Sequence, residues 1–310
     1  MNLKHNSYGL MFHHFHNTNV IQTGQGSISA KKFEKIIKLI GIENILHPNI
    51  WIEKYLNNNL SEYETCITFD DSLLCQYEIA LPVLESLKLS AFWFIYSSVF
   101  ENQLEEFELY RKFRNVYYKT PDEFYKEFFK EYSTFKKNDL LNFNFENQID
   151  IISKKYPFYS RNDIIFRLLR DEILSGKEYI NIMNILIEKK QTTLLDLSKN
   201  LWMTNEHLKK LNTKGHKIGL HAYNHPTFMS DLSYTEQKKQ ITMNYDHIFS
   251  TINVKPDSMS YPNNSYNEDT IQIIKSLGVK CSFRSNLSPI KSNSPLKQFF
   301  IPRRDHSTFN

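Results

Sequence analysis

Short apolar runs of four to six residues recur along the chain, and most are followed by a stretch in which apolar positions return every three to four residues. A run that short suits a strand covered on both faces, whereas the 3.6-residue return marks an amphipathic helix. Residues 7–12 read as a first buried strand running directly into His13, His14 and His16. A loop over 23–27 follows, too sparse in glycine to cradle a phosphate. Ser29 caps a helix whose stripe is Phe33, Ile36, Ile37 and Ile40, and Gly41 ends it. Residues 48–60 form a short helical or irregular connection, 66–69 a second strand, 77–87 a helix with Pro82 inside its pattern, and 91–95 a third strand.

From 101 to 190 the period is helical throughout, over 104–118, 121–135, 161–174 and 179–188, and the stretch is rich in Phe and Tyr. An aromatic stripe at helical spacing is usually core, so Phe124, Tyr125, Phe128, Phe129 and Tyr132 pack inside a helical insertion unless they face a cleft and stack on a ligand. A helix over 201–211, a strand over 217–221, a long helix over 234–252, a strand and turn over 257–262, a helix over 267–277 and a strand over 279–283 complete the alternation. Strands alternating with helices make the fold class α/β.

Two of these strands end on chemistry. Residues 66–69 stop at Asp70 and Asp71, and 217–220 run into His221 and His225, four residues apart, with Pro226 behind them. Adjacent aspartates alone read as a helix cap, and two histidines near a strand end read as satisfied core groups. Taken together, one carboxylate and two imidazoles make a three-ligand site with open positions, the arrangement used by hydrolytic divalent metals. One aspartate remains free beside it.

The segments Thr68-Phe69-Asp70-Asp71 and Gly215-His216-Lys217-Ile218-Gly219-Leu220-His221-Ala222-Tyr223-Asn224-His225-Pro226 resemble the polysaccharide deacetylase family (NodB homology, carbohydrate esterase family 4). The family's motifs read T-F-D-D-G and G-H-x-I-G-x-H-x-x-x-H-P; the second is matched at each fixed position, while Ser72 stands where the first has glycine. The resemblance implies a distorted (β/α)7 barrel of the NodB-homology type, formed by 1–100 and 201–310, with a large helical insertion at 101–200 that packs, covers or supports the site. It further implies Asp71, His221 and His225 as ligands of one divalent metal, with zinc the expected ion, and Asp70 as general base. Residues 257–262 resemble the third motif in its S-Y-P form, which assigns Tyr261 and Pro262 to the substrate and the backbone amide of Asn263 to the oxyanion; Ser260 replaces the arginine of the commoner form. Phe12-His13 resembles the aromatic-histidine pair of the branch containing poly-N-acetylglucosamine deacetylases, with His13 favoured as general acid over His14 and His16. The family's late acid motif is missing; His306 is the one late histidine, on what reads as a free tail. Residues 300–305 resemble the last-strand L-P-R motif, and one of its arginines, Arg303 first, either pairs with Asp70 in place of the missing arginine or forms a surface pair.

Composition changes this picture little. With 310 residues, 41% hydrophobic and 23% charged, the chain can bury a full core, and a net charge of +4 with scattered lysines points to a solvated surface and away from nucleic acid. Three cysteines without C-x-x-C spacing suggest reduced thiols. No signal-like apolar core precedes residue 19 and no stretch approaches the ~18 apolar residues of a membrane span, so the expectation is a cytoplasmic protein without membrane insertion, of open oligomeric state. The expected substrate is an acetylated amino sugar in a glycan or a nucleotide- or lipid-linked form, used in surface polysaccharide biosynthesis. An O-acetyl esterase, a non-sugar amidase, a metal-binding module without turnover and a scaffold acting through the insertion remain as alternatives.

Overall fold

The computed structural model describes residues 8–17, 23–136, 145–155, 159–288 and 295–309. The chain forms two compact units, Met1–Glu105 with Asn200–Asn310, and Glu106–Lys199.

In the first unit seven strands form one parallel sheet: β1 (Gly9–Phe12), β2 (Cys66–Phe69), β3 (Phe92–Ile95), β4 (Lys217–Leu220), β5 (Ser258–Ser260), β6 (Cys281–Phe283) and β7 (Arg303–Asp305). Their order is β6-β5-β4-β3-β2-β1-β7. Ile301 donates its N–H to the Ser282 carbonyl at 3.0 Å and accepts from Arg284 N–H at 2.8 Å, so the segment entering β7 meets β6 and the sheet nearly closes. The result is a distorted (β/α)7 barrel.

The closure explains why the strands read as unbroken apolar runs. On β3, Phe92 and Phe94 join Cys66, Cys281, Phe283 and Ile301 in one buried cluster, while Trp93 and Ile95 join the larger core under the helices. Phe94 lies 5.4 Å from Phe283 although β3 and β6 are three places apart in the sheet, so this cluster fills the barrel interior. Trp51, on α2 (Pro48–Leu56), packs into the same cluster. Gly219 is required by closeness: a Cβ there would sit 2.6 Å from the Phe94 ring and 2.8 Å from Ser258 Oγ.

The helices around the barrel follow the apolar periods. Helix α1 (Ala30–Ile40) buries Phe33, Ile36 and Ile37; the Ser29 side chain accepts from Lys32 N–H, and Gly41 closes it at φ 94°. After β2 the helix begins as a π-helix, Gln76–Ala80, and continues as α3 (Leu81–Ser86), with Pro82 in the first turn of its α-helical part. The helix expected from 201 begins only at Asn205, because Trp202 forms a β-bridge with Leu73. Helices α10 (Asn205–Thr213), α11 (Tyr234–Ile252) and α12 (Glu268–Ser276) precede β4, β5 and β6. His306 is not on a free tail: it opens a 3-10 turn, His306–Thr308, and its buried ring stacks on Phe12 at 5.8 Å.

The second unit is helical, with α4 (Glu106–Tyr117), α5 (Pro121–Phe135), α6 (Glu146–Lys155), α7 (Arg161–Leu168), α8 (Gly176–Lys189) and α9 (Leu194–Ser198). Phe124, Tyr125, Phe128 and Tyr132 are buried, and the first three surround Phe166 at 4.9–5.3 Å. These four form part of the unit's own core, and Phe129 is half-buried beside them. No helix among the described residues is long and apolar enough to cross a membrane.

Candidate active site

Each parallel strand delivers its next residues to the same end of the barrel, and four strand ends supply the site. Asp70 and Asp71 follow β2, His13 follows β1, His221 follows β4, and Ser260 closes β5. Asp71 Oδ1 lies 3.3 Å from His221 Nε2 and 3.5 Å from His225 Nε2, and the three ligand-type atoms all fall within 4.8 Å of one another. His221 Nδ1 is 2.8 Å from the Ser260 carbonyl. A carbonyl only accepts, so Nδ1 carries a proton and Nε2 is the nitrogen left for a cation. Two imidazole nitrogens and a carboxylate oxygen, one already fixed in its tautomer from behind, are the donor set a divalent cation such as zinc requires.

Asp70 points elsewhere. Arg303 grips it with two parallel bonds, Nη1 to Oδ1 at 2.7 Å and Nη2 to Oδ2 at 2.6 Å, and the same Nη2 donates to Ser260 Oγ at 2.7 Å. Both partners are buried, Arg303 with a fully covered side chain. Ser260 leaves room where the commoner motif has arginine, and β7 supplies the guanidinium from the other side. Arg304 instead turns to Thr308 and Phe309. Burial pushes the Asp70 carboxyl up, but Arg303, His221 and His13 outweigh it and hold the group below the usual carboxylate range. At Asp71, burial is likewise overcome by His221, His13 and His225, and the carboxyl stays ionised. Burial alone would push the His221 imidazole down; the two aspartates reverse that and raise it.

His13 Nε2 stands 3.7 Å from Asp70 Oδ2 and 3.9 Å from Asp71 Oδ2, with its ring about a quarter exposed. His14 lies alongside, ring centroids 6.2 Å apart, and His16 turns to Ser27 Oγ at 2.8 Å. Of the three, only His13 is placed within ion-pair distance of either aspartate. His306 lies behind Phe12, and burial and nearby His13 push its imidazole down.

The third-motif residues divide. Tyr261 is buried with its hydroxyl shared by Ser282 Oγ at 2.6 Å and the Phe299 carbonyl at 3.0 Å, and its ring stacks on Tyr266 at 4.2 Å; Pro262 is buried as well. These contacts anchor the loop that follows β5. Asn263 follows in the left-handed region at φ 49°, ψ 24°, inside the 3-10 turn Pro262–Asn264.

Backbone strain gathers here. Asp71, Ser72, Ala222, His225, Asn263 and Asn264 all have positive φ, and every one lies in a loop that leaves a strand at the site. For a residue with a Cβ this costs about 1 kcal/mol or more, and such strain persists where the surroundings impose it. Ser72, at φ 60°, recovers part through its hydroxyl, which donates to the Tyr96 carbonyl at 3.1 Å. Two positioning groups were not singled out in the sequence. Asn244 on α11 accepts from His221 N–H at 2.9 Å and donates to the Ile95 carbonyl at 3.0 Å, tying the metal-side loop to β3. Gln76 does similar work between β1 and β2. Neither belongs to a local pattern; one Gln or Asn on a helix face carries no signal of its own.

Comparison with known proteins agrees with the motif resemblance. Residues 177–282 match the polysaccharide deacetylase family. The uncharacterised protein YlxY of Bacillus subtilis (strain 168) is 28% identical over 148 residues, and the match spans about half of each protein, 46% of both. Among solved structures, the Streptococcus pyogenes deacetylase PplD in complex with acetate superposes with TM-score 0.58 at 15% identity, over 96% of this chain and 91% of that one. IcaB from Ammonifex degensii gives 0.54 at 13%, again over 96% and 91%. At these identities the structures share the fold.

Proposed function

We propose, for a barrel that carries the polysaccharide deacetylase match, that the chain is a metal-dependent hydrolase removing the N-acetyl group from an amino sugar. The observation that supports this best is the pairing of Asp71, His221 and His225 as one cluster with an Arg303-held Asp70 and a nearby imidazole, His13. A divalent cation held by Asp71, His221 and His225, with zinc the expected ion, would polarise the acetyl carbonyl and acidify a water beside it.

The chain's own groups perform the proton work. Asp70, kept ionised by Arg303, accepts the proton of the attacking water at a carboxylate oxygen. Arg303 binds both oxygens of Asp70 and so sets the carboxylate's orientation. The main-chain N–H of Asn263 donates to the developing oxyanion, a role that survives any change of side chain. His13 gives its Nε2 proton to the leaving amine, because an alkyl amide anion cannot depart unprotonated. The products are acetate and a free amino sugar. The S. pyogenes deacetylase structure is a complex with acetate, which is consistent with such a product.

The test is acetate release from a panel of N-acetylated sugars, nucleotide-linked and oligomeric, before and after chelation and with added zinc. Release that depends on metal supports the proposal. Turnover confined to O-acetyl esters would make the chain an esterase, and metal binding without release from any substrate would make it a binding module.

A further inference from the structure

The general base and the general acid of this proposal come from different strands, and one buried side chain joins them. Gln76, 1% exposed, is the first residue of the π-helix after β2. Its Nε2 lies 2.8 Å from the His13 carbonyl and 2.5 Å from the Asp70 carbonyl. Both partners are pure acceptors, which fixes the amide orientation: the NH2 group faces them and donates one hydrogen to each. The neighbouring Cys75 Sγ accepts from Phe15 N–H at 3.4 Å, so two successive side chains hold the backbone of the loop leaving β1. Beyond the strands themselves, Asp70 N–H reaches the Phe12 carbonyl only at 3.4 Å. The β1 to β2 ladder is therefore weakening where His13 and Asp70 stand, and Gln76 takes over the connection. A π-turn widens the helix by one residue, and such turns recur at functional sites; here it begins at the residue that reaches both strand ends.

We propose that Gln76 is a positioning residue that sets the spacing of His13 and Asp70, and through it the acid step of catalysis. Both of its bonds go to main-chain carbonyls, so it acts on the two groups through their backbone. With both donors in place the His13 imidazole is held 3.7 Å from the Asp70 carboxylate; without them the loop after β1 is free to shift against β2. Displacement of a reacting group by about 1 Å costs on the order of 10²-fold in rate.

The inference rests on the deacetylase reading for the roles of the two groups, and its first test does not. In crystals of Gln76→Leu, which keeps the volume and removes both donors, the separation of His13 Nε2 and Asp70 Oδ2 is expected to increase by about 1 Å or more. An unchanged separation overturns the proposal. Gln76→Asn, one methylene shorter with both donors, covers the case in which the leucine variant does not fold, and is expected to give an intermediate displacement.

The second test is kinetic. Gln76→Leu is expected to lower kcat on an N-acetyl sugar about 10- to 100-fold with little change in KM, and to affect an activated acetyl ester far less, since that leaving group needs no proton. Combined with His13→Ala, it should add almost nothing, because it acts through His13. Equal losses on both substrates where His13→Ala is amide-selective, or full additivity with His13→Ala, would show a merely structural role. Displacement in the crystal with no amide-selective loss in either single variant would keep the positioning and reject His13 as the acid.

Discussion

Replacing Arg303 by Met removes the counter-charge of Asp70 while leaving an apolar chain of similar reach. Arg303 is fully covered and Asp70 is 3% exposed, and the pair is bidentate at 2.6 and 2.7 Å. Breaking such a pair strands a buried charge, which typically costs about 3–5 kcal/mol. The loss is specific in its pH dependence. In the wild type the folded Asp70 pKa lies below its unfolded value, so its contribution is present above the unfolded pKa and disappears as pH falls through the folded one. Without Arg303, burial is opposed only by His221 and His13 and the folded pKa rises, so the variant falls behind the wild type in stability as pH rises through that new value. The stability gap between the two proteins should therefore widen from pH 4 to pH 8. Urea unfolding of equally metal-loaded samples across that range measures it. The acidic limb of kcat/KM should move to higher pH, since the base must be ionised. A gap independent of pH, or an unmoved limb, would mean that Arg303 does not hold the Asp70 charge. Arg303→Lys keeps the charge without the fork and should fall between the two.

Three further outcomes follow from the geometry. Asp70→Asn should retain bound metal but lose ~10²–10⁴ in kcat, whereas Asp71→Asn, His221→Ala and His225→Ala should lose metal as well, by elemental analysis of purified protein; equal metal content in all four would remove the ligand assignment. His13→Ala should depress amide turnover much more than that of an activated ester, with metal content unchanged; a larger effect from His306→Ala would move the acid to the other imidazole beside Phe12. His216 is buried and its Nδ1 accepts from Ala91 N–H at 3.1 Å, and burial drops its pKa from 6.5 to about 4, with Glu85 opposing and His47 and Lys214 assisting. Because the unfolded chain takes up that proton first, stability should fall as pH drops from about 6.5 to about 4, by up to ~3 kcal/mol, and His216→Gln should flatten the slope; identical slopes would remove this account.

The strands were legible because the barrel buries both of their faces, which turns 66–69 and 91–95 into unbroken apolar runs. The cluster of Asp71, His221 and His225 was legible because its histidines lie within one short segment and its aspartate at one strand end. What stayed hidden depends on contacts across the chain. Nothing local to His306 shows that its ring stacks on Phe12 of β1, and nothing near Tyr261 shows that its hydroxyl is taken by Ser282 and Phe299. Gln76 and Asn244 act through main-chain partners, which any residue offers, so no motif marks them. Ser72 shows a different limit: the missing glycine signalled strain at the right place, but the hydroxyl bond to Tyr96 that eases it is a property of the folded loop.

The Arg303–Asp70 pair also has a consequence for how the protein comes into being. Asp70 is made early, at the end of the second strand, and its counter-charge arrives 233 residues later on the last strand, which docks beside the first. During synthesis the growing barrel thus carries a carboxylate with no guanidinium to meet it, and β1 with one side unpaired, until residue 303 emerges. The pair therefore forms only when β7 docks beside β1, in the same event that brings the sheet close to closure.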